Sequence, residues 1–264
     1  MYVKKKKFLS ILIIIIFAII FSNYIKNSNK FEDEISNVYR DLNKVNINEI
    51  DNKIYKKQDF CNDKIKSTIN IGFTLDKNFV LETMLTVASI MATQEKSTKI
   101  RFHFGVTNQF TPKKMIQIYK LRNKINNLTE FNFYYLKESV IKMKNFHPKG
   151  EACPGKFELP ILLPDDVERL IIFDAGDLLV LRDLTDLYNY NMSNFWVLGT
   201  PEPSIIKFMI TKYNKTKYVN IGSILLDVKK FKENNIWINF VNHRNLTIEG
   251  QPDQTLFNIY LFIR

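Results

Sequence analysis

An alternation of strand-like and helix-like segments, beginning near residue 69, constrains the fold of this chain more than any other feature. Ile69, Ile71 and Phe73 alternate with small or polar residues, as in a strand with one buried face. The next segment, LETMLTVASIMAT (residues 81–93), has helical periodicity. The apolar residues that share one face of this helix are Leu81, Met84, Leu85 and Ala88.

The alternation continues through three further segments. KIRFHFGV (99–106) and EFNFYYL (130–136) have strand character, and TPKKMIQIYKLRNKI (111–125) between them favours a helix. Strands that alternate with helices are joined by parallel crossovers, and the helices then cover both faces of the sheet. The sequence therefore predicts an α/β fold with a doubly wound, mainly parallel sheet, and 264 residues suffice for one such domain.

Two acids follow the most apolar of the later segments, RLIIFDAGD (169–177). In doubly wound sheets, ligands bind beyond the carboxyl ends of the strands. A buried strand ending here would deliver Asp174 and Asp177 to that edge, where a divalent cation could join them to a diphosphate. A glycine-containing turn between two strands is the alternative interpretation, and the Asp-x-x-Asp spacing alone does not exclude it.

The amino terminus has the pattern of a membrane anchor. Four lysines at 4–7 precede an uncharged apolar stretch between Phe8 and Ile25, long enough to cross a thin bilayer as a helix. Residues 1–7 would then remain in the cytoplasm and the rest of the chain would lie in the lumen. A cleaved signal peptide is the alternative, but no small-x-small cleavage site follows Phe21.

Residues 26–68 contain neither glycine nor proline, which suits a stem between the anchor and a domain at 69–264. Apolar residues recur in this stem at alternating steps of four and three, as in about two coiled-coil heptads; they are Phe31, Ile35, Val38, Leu42 and Val45. The pattern predicts a short stem helix that could form a homodimer. A disordered spacer is an equally supported alternative, because so short a coiled coil is marginally stable.

Two features agree with a lumenal address in the Golgi or endoplasmic reticulum. Four Asn-x-Ser/Thr sequons predict a glycoprotein, with acceptors at Asn127, Asn191, Asn214 and Asn245. Both cysteines, Cys61 and Cys153, lie beyond the apolar stretch, so a disulfide is permitted, and the sequence supports paired and free states equally.

The net charge of +11 does not indicate a nucleic-acid partner. Four of the positive charges flank the apolar stretch, and the others are scattered among acids without an arginine-rich stripe. A basic surface of this kind could still attract an anionic ligand such as a nucleotide.

Five segments, in order, resemble those of glycosyltransferase family 8, whose members are retaining enzymes of the GT-A fold that use a nucleotide sugar, usually a UDP-sugar, and Mn²⁺. The segments are INIGFTLDKNF, KIRFHFGVTNQFT, GKFELPILLPDDVERLIIFDAGDLLVLRDL, YVNIGSILLDVKKFKENNI and GQPDQTLFN. The resemblance runs from about Ile69 to the end of the chain, and it implies a GT-A, Rossmann-like fold.

The resemblance also implies residues that bind the nucleotide. Thr74, Asp76 and Asn78 match the turn that holds uridine and ribose, although such residues also cap helices. Lys156 matches a position, usually arginine, that meets the donor phosphates or orders the metal-binding acids. As a lysine it would act as a point charge rather than a fork.

Four later positions are implied at the sugars. Asn220 and Gly222 match a segment that faces donor and acceptor sugars, with a turn at the start of a strand as the alternative. Asp253 and Gln254 match the pair near the reacting carbon. The expected role of Gln254 is to stabilise an oxocarbenium-like state beneath the anomeric carbon, while Asp253 bonds sugar hydroxyls.

The sequence departs from the family pattern in two places. The family's metal motif is Asp-x-Asp, whereas one more residue separates Asp174 from Asp177 here, and Gly176 could form a bulge that brings the acids together. We therefore expect both acids to bind Mn²⁺. The family's C-terminal His-x-x-Gly-x-x-Lys-Pro-Trp motif is absent, and His103, His147 and His243 lie in other contexts. His103, within a strand, is expected to be packed.

These observations predict a single-pass type II membrane protein with a lumenal GT-A domain. Its expected activity is retaining transfer of a hexose or pentose from a UDP-sugar to a glycan or protein acceptor. A catalytically degenerate lumenal protein that binds nucleotide sugar or serves as a scaffold is the alternative, favoured by the missing histidine motif. A membrane-tethered nucleotide hydrolase also fits the acids, but it gives Asn220 and Gln254 no role.

Overall fold

A computed structural model of the chain describes residues 67–95, 97–121, 128–137, 152–193, 195–214, 217–243 and 252–261. The expected anchor and most of the expected stem, with Cys61, Asn127, Asn245 and His147, lie outside these ranges. Within the described ranges, no helix is both long and apolar enough to span a bilayer. The expected domain beginning at residue 69 corresponds to a strand that begins at Ser67.

Six strands and eight helices make up the described part of the chain. The strands are β1 (Ser67–Leu75), β2 (Thr98–Val106), β3 (Thr129–Tyr135), β4 (Arg169–Phe173), β5 (Val197–Pro201) and β6 (Val219–Asp227). The helices are α1 (Val80–Thr93), α2 (Pro112–Tyr119), α3 (Gly155–Leu162), α4 (Thr185–Tyr188), α5 (Pro203–Tyr213), α6 (Val228–Glu233), α7 (Ile236–His243) and α8 (Pro252–Leu261). The expected order of strand, helix, strand, helix and strand is confirmed at β1 to β3.

The strands form one mixed sheet in the order β3-β2-β1-β4-β6-β5. Four neighbours, β3, β2, β1 and β4, are parallel, whereas β6 is antiparallel to both β4 and β5. Five strands therefore share one direction and β6 runs against them. As a consequence, the carboxyl ends of β4 and β5 lie at the same edge of the sheet as the amino end of β6.

The sheet separates two apolar cores, because successive residues of each strand point to opposite faces. Ile171 of β4 packs in one core with α1 and α2, whereas Ile172 packs in the other with α3, α6, α7 and α8. The second core also contains a cluster of aromatic rings, Phe157, Phe231, Phe240 and Phe257. The expectation of helices on both faces is thus confirmed, and the sheet is mainly parallel but mixed.

Helix α1 buries a different face from the one that the expected stripe suggests. Met84 and Ala88 of that stripe are buried, but Leu81 is 41% exposed and Leu85 is 37% exposed. The other buried apolar residues are Val87, Ile90 and Met91. The apolar stripe at 84, 87, 88 and 91 satisfies the 3.6-residue period equally well, and packing on β1 and β2 selects it.

Two of the four sequon asparagines lie in the described part of the chain. Asn191 and Asn214 are both exposed, which is a requirement for a glycan acceptor. Asn214 ends α5 in the left-handed conformation, with φ of 52°. Cys153 is a free thiol.

Candidate functional site

The expected site residues lie at the edge of the sheet where β4 ends and β6 begins. Asp174 follows β4 directly, and its backbone N–H donates to the carbonyl of Gly222 at 2.7 Å. Phe173 pairs with Ser223 in the antiparallel ladder, so the chain leaving β4 and the chain entering β6 are in contact. This contact between residues nearly fifty positions apart depends on the reversed direction of β6.

Lys156 forms a buried ion pair with Asp174. The lysine is on the first turn of α3 and is 2% exposed. Its Nζ contacts Oδ1 of Asp174, and it also donates to the carbonyl of Ile221 at 3.2 Å. A buried ammonium is stable only when paired, so this lysine is held in place by Asp174 and by β6. Asp174 keeps 32% of its side chain exposed, which leaves it accessible to a ligand.

Gly222 allows this close approach because it has no side chain. A Cβ at this position would lie 2.8 Å from Oδ2 of Asp174 and 2.9 Å from Oδ1 of Asn220. The backbone N–H of Gly222 donates to Oδ1 of Asn220 at 2.7 Å. Asn220 and Gly222 lie within β6, and Gly222 does not have a positive φ, so the alternative of a turn at the start of the strand is wrong.

The turn between Asp174 and Asp177 depends on Gly176. This glycine has φ of +85°, and a Cβ on it would meet Cβ of Glu82 in α1 at 2.4 Å. Such backbone angles favour glycine strongly, and the contact with α1 excludes any side chain. Asp177 lies at the end of the turn and is exposed.

The two acids have the chemistry of a manganese site but complete only part of one. Carboxylate oxygens suit Mn²⁺, and the exposed Asp177 and partly exposed Asp174 are both accessible. In the part of the chain that the structure describes, no cluster of three or more His, Cys, Asp or Glu side chains could hold a metal ion. The residues present therefore fit a cation that takes its other ligands from water or from a diphosphate.

Gln254 is buried, and both ends of its amide are hydrogen-bonded. Its Oε1 accepts from the backbone N–H of Ile221 at 3.1 Å. Its Nε2 donates to Oε2 of Glu202 at 2.8 Å and to the hydroxyl of Tyr218 at 3.2 Å. Asp253 precedes it on the first turn of α8, and both residues are about 5% exposed or less.

Asn258 fixes α8 against β6. Its amide accepts from the N–H of Val219 at 2.7 Å and donates to the carbonyl of the same residue at 2.9 Å. It also donates to the carbonyl of Gln254 at 2.8 Å. The asparagine of the Asp-Gln-x-x-x-Asn segment is therefore structural, since it holds Gln254 in register with β6.

The expected nucleoside turn follows β1. Asp76 is 3% exposed, and its Oδ1 accepts from the backbone N–H of Asn78 at 2.7 Å. Asn78 itself is exposed and Thr74 is half-buried. The suggestion that these residues cap the next helix is wrong, because α1 begins after Phe79 and has no side-chain cap. The Asp76 bond instead closes the turn itself.

The charges of the site converge around Cys153. Burial, together with the negative charges of Asp253, Asp174 and Asp76, raises the pKa of this thiol to about 12, and the positive charge of Lys156 acts in the opposite direction. These charged residues follow β1 and β4 or lie on the first turns of α3 and α8. Thr74 lies beside Gly155, because a Cβ added to this glycine would be 3.2 Å from Cγ2 of Thr74.

Sequence reasoning missed Glu202 and Tyr218. Glu202 follows β5 directly, so the rule that singled out Asp174 after β4 would also have found it. Its Oε2 accepts from Nδ2 of Asn220 at 3.4 Å as well as from Gln254. Tyr218 is 1% exposed, and burial raises the pKa of its hydroxyl.

His103 is packed within the sheet, as expected. It is 1% exposed; its Nε2 lies 3.1 Å from Oδ1 of Asn70, and its Nδ1 lies 3.1 Å from the hydroxyl of Tyr134. Burial, together with the nearby Arg101, lowers its pKa to about 4. It is therefore neutral and structural at ordinary pH.

The chain resembles a curated protein in sequence. The chain is 23% identical to probable galacturonosyltransferase-like 4 of Arabidopsis thaliana over 201 residues, which are 68% of this chain and 55% of that protein. The chain thus spans about half the length of this curated relative.

Two solved structures share the fold. The bifunctional glycosyltransferase WbbM has a TM-score of 0.62 and 16% identity, covering 75% of this chain and 38% of its own. The galactosyltransferase LgtC, solved with donor and acceptor sugar analogues, has a TM-score of 0.56 and 18% identity, covering 73% of this chain and 70% of its own. Their likeness shows a GT-A-like glycosyltransferase fold.

A sequence-family model also matches the chain. The family model described as Glycosyl transferase family 8 covers residues 70–263, from β1 to beyond α8. Because this range is well over half of the chain, the protein belongs to glycosyl transferase family 8.

Proposed function

We propose that this protein is a retaining glycosyltransferase that moves a hexose or pentose from a UDP-sugar to a glycan or protein acceptor with the help of Mn²⁺. The observation that carries the proposal is the buried Lys156–Asp174 pair at the ligand edge of the sheet, in contact with the start of β6. Sugar transferases among its relatives support the reaction class.

Lys156, Asp174 and Asp177 would hold the diphosphate end of the donor. Bound Mn²⁺ would supply positive charge to the diphosphate leaving group. The pair with Lys156 keeps one oxygen of Asp174 fixed, so this acid needs little reorganisation to receive a cation. Asp177, at the exposed end of the Gly176 turn, would provide the second carboxylate.

The residues on β6 and α8 would surround the transferred sugar. Asn220 and Gly222 would face the donor and acceptor sugars, and Asp253 would accept from sugar hydroxyls. Gln254 would stabilise the positive charge that develops at the anomeric carbon. An amide whose nitrogen and oxygen are both hydrogen-bonded is suited to electrostatic stabilisation, not to forming a covalent intermediate.

The turn after β1 would receive the nucleoside. Asp76 closes this turn through the N–H of Asn78, which places the exposed Asn78 amide at its surface. Asp76, Asn78 and Thr74 would bond the base or the ribose hydroxyls, because all three can accept hydrogen bonds. In this arrangement β1 binds the nucleoside while β4 and α3 bind the phosphates.

Calorimetric titration of UDP into the full chain, with Mn²⁺ and with chelator, tests the donor site. We expect Mn²⁺-dependent binding that is lost in Asp174→Ala and weakened in Asp177→Ala. The matched control is Asp186→Asn, an exposed acid on α4, which should bind UDP like the unaltered chain. Screening of UDP-sugars with glycan acceptors, and analysis of the anomeric configuration of the product, would then test retaining transfer.

A folded chain that does not bind UDP in the presence of Mn²⁺ would contradict the proposal. The scaffold interpretation would then explain the protein better. Binding of UDP-sugar with release of free sugar, and with no transfer to any acceptor, would instead indicate a hydrolase.

We further propose a type II membrane topology, with residues 1–7 in the cytoplasm and the catalytic domain in the Golgi or endoplasmic reticulum lumen. The uncharged stretch between Phe8 and Ile25, preceded by lysines, supports this proposal. Protection of the domain from protease in intact vesicles, and a mass shift on glycosidase treatment, would test it. Sedimentation of the detergent-solubilised chain, with and without residues 26–60, would test whether the stem forms a homodimer.

A further inference from the structure

Glu202 occupies a fixed position between β5 and α5. It follows Pro201, the last residue of β5, and its backbone N–H donates to the carbonyl of Tyr218 at 3.1 Å. This bond ties its backbone to the segment that leads into β6. The sheet therefore holds the backbone of Glu202, and this determines the point from which its side chain extends.

One oxygen of the Glu202 carboxylate accepts hydrogen bonds from two amide side chains of the site. Oε2 of Glu202 accepts from Nε2 of Gln254 at 2.8 Å and from Nδ2 of Asn220 at 3.4 Å. An ionised carboxylate can accept hydrogen bonds but cannot donate them. The amide group that faces Glu202 must therefore be the NH₂ in both residues.

The opposite ends of the two amides meet the backbone of β6. Oε1 of Gln254 accepts from the N–H of Ile221 at 3.1 Å, and Oδ1 of Asn220 accepts from the N–H of Gly222 at 2.7 Å. If the Gln254 amide were flipped, its NH₂ would face another N–H donor. Glu202 on one side and Ile221 on the other thus select one orientation of this amide.

This orientation of the Gln254 amide affects the partial charge on its oxygen. A carbonyl oxygen has two lone pairs, so Oε1 of Gln254 can accept a second interaction besides the one from Ile221. A charged acceptor at the nitrogen end polarises the amide and makes its oxygen more negative. A more negative oxygen is what a positively charged sugar carbon requires.

We infer that Glu202 is a positioning residue that holds the amide of Gln254 with its oxygen, not its NH₂, available to the donor sugar. The inference rests on the proposed transferase function for its catalytic consequence. The hydrogen-bond arrangement itself is independent of that function, and so it can be tested separately.

The first test is nuclear magnetic resonance of side-chain NH₂ groups in the full chain, with Glu202→Gln as the variant. Loss of a charged acceptor should move the NH₂ signals of Gln254 and Asn220, assigned from their disappearance in Gln254→Ala and Asn220→Ala. Glu233→Gln, an exposed glutamate on α6, is the control and should leave both signals in place. Unmoved signals in Glu202→Gln would overturn the inference, whether or not the chain transfers sugar.

The second test is a double-mutant cycle on turnover. Glu202→Gln should lower kcat by about tenfold or more, as expected for the loss of a hydrogen bond to a charged group, with little change in KM for the donor. In a Gln254→Ala background, the same substitution should change kcat by less than about twofold. Equal losses in both backgrounds would overturn the inference, because Glu202 would then act without Gln254.

If the proposed transferase function is wrong, the two tests give different results. A chain without transfer activity would contradict the transferase proposal, while the NH₂ signals would still decide whether Glu202 orients Gln254. Thermal unfolding of Glu202→Gln serves as the folding control. Restoration of the signals and of part of kcat by Glu202→Asp, which keeps a carboxylate, would support the assignment further.

Discussion

This protein contains two polar networks that differ in charge. We associate the neutral network with the stability of the fold and the charged network with ligand binding. The first joins Tyr134, His103, Asn70 and Tyr188 across β1, β2 and β3, and all of its side chains are neutral. The second, at the ligand edge, contains an ammonium and several carboxylates, among them the Lys156–Asp174 pair. Asp174 of this network keeps 32% of its side chain exposed.

In the neutral network, the side chains are hydrogen-bonded to one another. Asn70 donates to Tyr188 at 2.7 Å and accepts at the same time from His103, and the hydroxyl of Tyr188 donates to the carbonyl of Arg169 at 3.1 Å. Burial keeps His103 uncharged. Such a closed network stabilises the sheet. The charged network instead retains exposed oxygens, and an exposed carboxylate beside a buried lysine is suited to a ligand.

Asn70→Leu should give the largest effect on stability. The substitution removes both hydrogen bonds of a side chain that is 4% exposed. It leaves buried groups of His103 and Tyr188 without their Asn70 partner. At roughly 1–3 kcal/mol for each such group, we expect the free energy of unfolding to fall by about 4 kcal/mol. Denaturant titration measures this loss. UDP binding to the remaining folded protein should be unchanged, and weakened binding would contradict the separation of the two networks.

Acid should destabilise the fold through His103. Its pKa is about 4 in the folded protein and near 6.5 in the unfolded chain, so only the unfolded state gains a proton between these values. Stability from this group is complete above pH 6.5 and is lost progressively as the pH falls to 4, a total of roughly 3 kcal/mol. Unfolding measured from pH 7 to 4 should show the loss, and His103→Gln should flatten the curve. An equal slope in that variant would assign the effect to other groups, such as Asp166.

Lys156→Met should affect the ligand more than the fold. It replaces a buried ammonium by an apolar side chain of similar length, so Asp174 loses its counter-charge but stays hydrated. We expect Mn²⁺-dependent affinity for UDP to fall by roughly 10- to 30-fold, equivalent to about 2 kcal/mol. Calorimetry and thermal unfolding together measure both quantities. A large loss of stability without a loss of affinity would make this pair structural, like the neutral network.

Lys156→Arg should produce the smallest change. The charge is retained, but a planar fork must fit a buried position where Nζ contacts Asp174 and the carbonyl of Ile221. We expect UDP affinity to change by about fivefold or less, near 1 kcal/mol. Comparison with Lys156→Met on the same calorimeter separates the role of charge from that of shape. A loss equal to that of Lys156→Met would show that shape is decisive.

The sequence by itself determined the elements that carry the site. The alternation at Ile69, Ile71 and Phe73 predicted β1, and the apolar run before Asp174 predicted β4 with an acid at its carboxyl end. Family membership followed from five segments in order and is confirmed by the match over residues 70–263. These properties depend on local periodicity and on neighbouring residues, which a sequence displays directly.

Only the tertiary structure decided which side chains meet. The buried face of α1 was set by packing on β1 and β2, since two apolar stripes fitted the helical period equally well. The antiparallel direction of β6 placed Gly222 against Asp174, and the position of β5 beside β6 brought Glu202 to Gln254. Residues 202 and 254 are far apart in the chain, and no local pattern encodes their contact. It exists because strand order and direction bring them to one edge of the sheet.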